Sequence, residues 1–208
     1  MRNTNKVCSI LIILFYTVGL IGFLTPALNP LFLKLVPFHL LLMLMLLLIS
    51  HSDKNRLFWV FIATTFLLGF IVEVVGVNTG WVFGSYKYGA TLGFKVFNTP
   101  LLIGINWVML IYTTGILINQ FKFKSLIFSS ALGAVALVIL DLLIEPIAIK
   151  FDYWNWYGRN IPLQNYFGWF GLSFFLLFFF LNMPFEKKNS SAIVLFFTQL
   201  AFFVALNL

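Results

Sequence analysis

The chain has 208 residues, 62% of them hydrophobic and only 9% charged, with a mean hydropathy of +1.02. Soluble domains carry about 25% charged residues, so a water-soluble globule is excluded and an all-α, polytopic membrane bundle is expected. The net charge of +7 is spread over short connections, where it orients the chain and meets anionic lipid, and it gives no indication of nucleic acid.

Bilayer-spanning apolar runs, about 20 residues each, fall at 7–24, 31–50, 57–77, 99–119, 125–149, 165–183 and 190–208. The first follows MRNTNK with no A-x-A-like cleavage site after it, so it reads as a retained helix rather than a signal peptide. It contains Cys8, the single cysteine, which excludes an internal disulfide, a redox pair and a cysteine-based metal site. No polar segment is long enough to fold by itself, so residues 1–208 are expected to form a single integral membrane domain, with a motif-bearing core at about 57–183. Two connections stand out as longer, aromatic and glycine-rich: Asn78 to Asn98 and Lys150 to Gln164. Two helices separate them, so both lie on one side of the membrane. Eight lysines and arginines lie on the N-terminal side and five on the other. The positive-inside rule therefore puts the N-terminus in the cytoplasm and the aromatic loops outside.

Of six carboxylates, Asp53 and Glu186 lie among loop lysines and Asp152 follows the fifth run, whereas Glu73, Asp141 and Glu145 lie within apolar sequence. A charge at mid-helix costs about 2.5–3.5 kcal/mol on insertion scales, so such a group faces a cavity or a partner. Glu73 is near the exit of the third run and the other two near the exit of the fifth, so the three can share one depth. Asp141 and Glu145 are four residues apart, on one helix face. They cannot both stay ionised cheaply in a low dielectric, and a neutral carboxylic acid beside a carboxylate is expected. Pro146 is expected to push Glu145 off helical angles and to open space by a kink. In the alternative reading, the acids lock helices together through tyrosine and tryptophan.

The loops supply Trp81, Phe83, Tyr86, Tyr88, Trp154, Trp156 and Tyr157, with Trp169 just beyond. Ring faces attract a developing cation, by up to about 2 kcal/mol when desolvated, so acids beside such rings suit carbocation chemistry. Interfacial aromatic belts use the same residues. His39 and His51 share no metal-ligand spacing and are set aside. No metal site is expected. Lys150 with Arg159 is a weak candidate for holding a phosphate. The order acid, aromatic pair with glycine, Pro-Leu, Asn and Trp occurs twice, first through Glu73, Tyr86, Tyr88, Pro100, Asn106 and Trp107. It returns through Glu145, Trp154, Trp156, Pro162, Asn165 and Trp169. Both copies run in the same direction, as a parallel repeat would.

These motifs, taken together over residues 70–170, resemble the bacterial and archaeal carotenoid hydratases. Glu73-x-x-Gly-x-x-Thr-Gly, Phe83-Gly84-x-Tyr86-x-Tyr88, Pro100 and Asn106-Trp107 match the first half of that family's pattern. Asp141-x-x-x-Glu145-Pro146, Trp154-x-Trp156 and Pro162-x-x-Asn165-Tyr166-x-Gly168-Trp169 match the second half. The family is similar in layout to the small membrane lycopene cyclases. The resemblance implies cofactor-free addition of water to the terminal 1,2 double bond of an acyclic carotenoid. Membrane lipid and other carotenoid-biosynthesis enzymes would be its partners. It makes Glu73, Asp141 and Glu145 the catalytic candidates, with Asp141 or Glu145 as the proton donor. Trp81, Phe83, Tyr86, Tyr88, Asn106, Trp107, Trp154, Trp156, Asn165 and Trp169 become the substrate-binding candidates. The rival readings are a cyclase making the same cation, a proton-coupled transporter and a carotenoid-binding protein.

Overall fold

The computed structural model describes residues 2–158 and 160–208. Among these are seven helices long and apolar enough to cross a membrane. They are α1 Arg2–Leu24, α2 Asn29–Ser50, α3 Arg56–Thr79, α4 Leu102–Asn119, α5 Leu126–Lys150, α6 Leu163–Asn182 and α7 Ser190–Asn207. The hydropathy runs thus become helices within a few residues of their expected bounds, because apolar backbone in lipid must satisfy its own hydrogen bonds. Polar residues mark the ends. Asn55, Ser125 and Asn189 accept the first free amides of α3, α5 and α7. Gly80 ends α3 in the left-handed conformation, φ 73°.

Helix α4 is the axis of the bundle. It touches α2, α3, α5, α6 and α7, and every residue from Trp107 to Ile116 is buried. Its small and polar residues, among them Gly104, Thr113, Thr114 and Gly115, suit close helix contact rather than lipid and place it at the centre. Around it, α5 packs on α6, α3 on α4, and α1 on both α2 and α7. Pro146 behaves differently from expectation: α5 continues through it to Lys150 and Glu145 remains helical. The proline removes one backbone donor without breaking this helix, as occurs in membrane helices whose neighbours hold them.

The two long connections are more than loops. Strand β1 (Tyr86–Tyr88) pairs antiparallel with β4 (Trp154–Trp156) in the register Tyr86↔Trp156, Lys87↔Asn155 and Tyr88↔Trp154. A second small ribbon joins β2 (Lys95–Val96) to β3 (Thr99–Pro100) within the first connection. The β1–β4 ribbon ties the α3–α4 connection to the α5–α6 connection and caps one end of the bundle.

Candidate active site

Side chains alternate across a strand, and this alternation builds the site. In β1, Tyr86 and Tyr88 turn inward and are buried, while Lys87 between them is exposed. Both hydroxyls donate to Glu73 Oε2, each at 2.6 Å. Burial first, and then the charge of Glu73, pushes both phenols well above their ordinary pKa, so they remain donors. The other Glu73 oxygen, Oε1, accepts from the Trp107 indole at 2.9 Å. Gly69, one turn before Glu73, lets this happen: a Cβ there would lie 2.6 Å from Cβ of Trp107.

The second ribbon strand repeats the device. The Trp154 and Trp156 indoles donate to Glu145 Oε2 at 3.0 and 2.9 Å. From α6, the Asn165 amide donates to Glu145 Oε1 at 3.1 Å and to Asp141 Oδ2 at 2.8 Å. Two amide hydrogens thus bridge the two acids of α5. Asp141 Oδ1 is buried and has no partner among the described residues. Glu73, Asp141 and Glu145 are 5%, 0% and 1% exposed. Among the described residues the ion pair is Lys188–Glu186 at the surface, and no lysine or arginine neutralises the three acids. Their partners are neutral hydroxyl, indole and amide groups.

The two halves touch through rings. Tyr86 lies 5.2 Å from Trp156, centroid to centroid, and Trp107 lies 4.8 Å from Trp169. Acids from α3 and α5 are thereby joined in one polar cluster at one end of the bundle. Phe83 stands behind it, edge-on to Tyr86 at 6.3 Å. Trp81 does not join the cluster: its side chain is 81% exposed, as are most of Tyr157 and Phe167, in keeping with an interfacial belt. The pairing of Lys150 with Arg159 rests on a residue outside the described ones. Lys150 itself lies over the Phe151 ring.

Beside the cluster is an apolar cleft of about 330 Å³ between α1, α2 and α7, closed on its inner side by Asn106, Ile144, Tyr153 and Trp154. Of the residues singled out in the sequence, Asn106 and Trp154 line it. Trp154 alone both faces the cleft and bonds an acid. The rest of the wall, including Tyr16, His39 and Gln199, comes from helices that carry no motif. His39 and Gln199 could have been found by the rule that flags intramembrane acids, since any polar group at that depth needs a partner or a cavity. His51, by contrast, belongs to the far end of the bundle, where its Nδ1 meets the Tyr112 hydroxyl at 2.8 Å and its Nε2 the Asp53 carbonyl.

The family model for carotenoid biosynthesis proteins matches residues 30–208. A bisanhydrobacterioruberin hydratase of Haloarcula japonica is 32% identical over 118 residues, covering 50% of this chain and 38% of that protein. The match therefore spans well under half of the relative. No solved structure matches. With residues 30–208 under that family model, the chain belongs to the carotenoid biosynthesis protein family.

Proposed function

We propose that this protein is a cofactor-independent hydratase that adds water across the terminal 1,2 double bond of an acyclic carotenoid. The observation that carries the proposal is the buried cluster itself: three carboxyl groups from two helices, held by neutral donors, beside a cleft lined by apolar side chains. The similarity to a protein named as a hydratase supports capture of the cation by water rather than ring closure.

The hydrogen bonds support a division of roles. Bonds donated to a carboxylate favour its ionised form. Glu73 and Glu145 each accept three, whereas Asp141 accepts one and keeps a bare oxygen. Asp141 is therefore the proton donor. Its proton goes to the less substituted alkene carbon, the π pair forms the new C–H bond, and a tertiary cation remains. The Trp154 face and the carboxylates of Glu145 and Glu73 stabilise that cation. A water lone pair then forms the C–O bond. Glu145 takes the proton released, which returns to Asp141 within the Asn165-bridged pair. The product is a tertiary alcohol, and no proton is consumed. The apolar substrate is delivered from the bilayer, and the aromatic loops face away from the cytoplasm.

The test is expression in a lycopene-producing host, with pigments separated and weighed by mass spectrometry. A product heavier by one water is expected from the wild type. Asp141→Asn, Glu145→Gln and Glu73→Gln are each expected to lower it by about 100-fold or more, the usual worth of a positioned acid or base. Unchanged mass with a new ring would favour the cyclase. Full hydration by all three variants would overturn the assignment.

A further inference from the structure

The cleft holds a polar group that the reaction does not use. Gln199, midway along α7, is 3% exposed, lines the cleft, and has its carboxamide oxygen without a hydrogen-bond partner among the described residues. A buried amide oxygen left unpaired is costly, and more so in a membrane, where no water competes to satisfy it. Two further polar side chains line the same cleft: Tyr16 of α1 and His39 of α2, whose rings meet edge-on at 4.7 Å. Three helices thus each contribute one neutral hydrogen-bonding group to a mainly apolar cleft, across from Asn106, Tyr153 and Trp154 on its inner wall. An apolar pocket with a few convergent polar groups is the usual form of a site that orients an uncharged ligand.

The cleft also has a way in from lipid. Phe15 and Val18 of α1, and Leu35 and Phe38 of α2, line it and are exposed on the outer surface of the bundle. Its inner wall is Trp154, which bonds Glu145. A long apolar molecule can therefore lie with one end against Trp154, the partner of Glu145, and its remainder passing out between α1 and α2.

We propose that Gln199, with Tyr16 and His39, is a hydrogen-bonding station for a hydroxyl group on the polyene, so that the cleft prefers a carotenoid already hydroxylated over the bare hydrocarbon. This rests on the hydratase reading and extends it to substrate choice. The unpaired Gln199 oxygen accepts the ligand hydroxyl proton. A hydrocarbon in the same place buries that oxygen without relief. A site built around a hydroxyl discriminates strongly against the analogue lacking it, because its own polar group is then left unpaired.

The experiment uses the full chain in lipid nanodiscs, with Asp141→Asn introduced so that binding is measured without turnover. Lycopene and its 1-hydroxy-1,2-dihydro derivative are titrated, and quenching of tryptophan fluorescence gives each Kd. The hydroxylated polyene is expected to bind about tenfold tighter or better, in line with one hydrogen bond to a buried group. Gln199→Leu is expected to bring the two Kd values together while leaving lycopene bound as well or better. Tyr16→Phe, which keeps the ring packing, is expected to narrow the gap. Equal affinity in the parent, or an unchanged gap in Gln199→Leu, would overturn the station while leaving the hydratase reading intact. Failure of either polyene to bind would overturn both.

Discussion

At the scale of single residues, the site depends on neutral donors set one by one onto buried carboxylates. Trp156 gives one N–H to Glu145 Oε2 while Trp154 gives another to the same atom. Replacing Trp156 with Phe keeps a ring beside Tyr86 and removes that donor. Hydrogen bonds to charged groups are worth about 1.5–3 kcal/mol. Trp156→Phe is thus expected to lower hydroxylated-product formation at least tenfold, with a modestly lowered Tm of the purified protein, since Trp154 still serves the same oxygen. Asn165 has the larger burden, because its amide serves two acids at once. Asn165→Leu leaves both less satisfied, so a loss greater than that of Trp156→Phe is expected, with a lowered Tm as well. An Asn165→Leu protein of unchanged Tm and activity would show that the bridge is dispensable.

At the scale of elements, close helix approach sets the cluster. The α3–α4 contact brings Gly69 against Trp107, and the indole reaches Glu73 only because there is no side chain between. Gly69→Ala forces Trp107 to shift. Overpacking of this kind costs about 1–3 kcal/mol, and a lowered Tm together with reduced product is expected. Gly171 on α6 is the control, since a Cβ there meets nothing within 4 Å. Gly171→Ala is expected to leave activity unchanged and to raise Tm slightly, by the better helix propensity of alanine. Each copy of the doubled motif supplies one strand of the ribbon, and β1 and β4 pair antiparallel. Trp107 and Trp169 each come seven residues after a proline, and their rings meet across the halves at 4.8 Å, tilted by 36°.

At the scale of the whole molecule, the bundle is polarised. Its acids, ribbon and most aromatic loops lie at one end, and the opposite end is tied by His51, Tyr112 and Asn189, with Asn189 bonding Ser50 and the Tyr112 hydroxyl, both at 3.0 Å. The positive-inside orientation proposed above is tested with an impermeant maleimide. Lys87, between the two site tyrosines, and Lys124, at the start of α5, are both exposed, and the native Cys8 is buried. Lys87→Cys is expected to label in intact cells and Lys124→Cys only after lysis. The reverse pattern would invert the topology without moving the site.

The sequence by itself determined the seven spans, because hydropathy over about 20 residues is a local property that lipid enforces directly. It also determined that Glu73, Asp141 and Glu145 needed partners, because intramembrane acids are expensive anywhere. Which partners they took was decided by the fold. Tyr-Lys-Tyr and Trp-Asn-Trp each carry the alternation of a strand, yet three residues are too few to signal one, and their pairing joins positions about seventy residues apart in the chain. The left-handed turn at Gly80 and the close contact at Gly69 positioned those strands and Trp107 over the acids. The cleft is more distant still, since most of its wall comes from α1, α2 and α7 and none of these helices bears a motif. Only packing brings Tyr16, His39 and Gln199 together, for a side chain's neighbours across a bundle depend on helix rotation and crossing, and those are properties of the whole set of contacts rather than of any one stretch of chain.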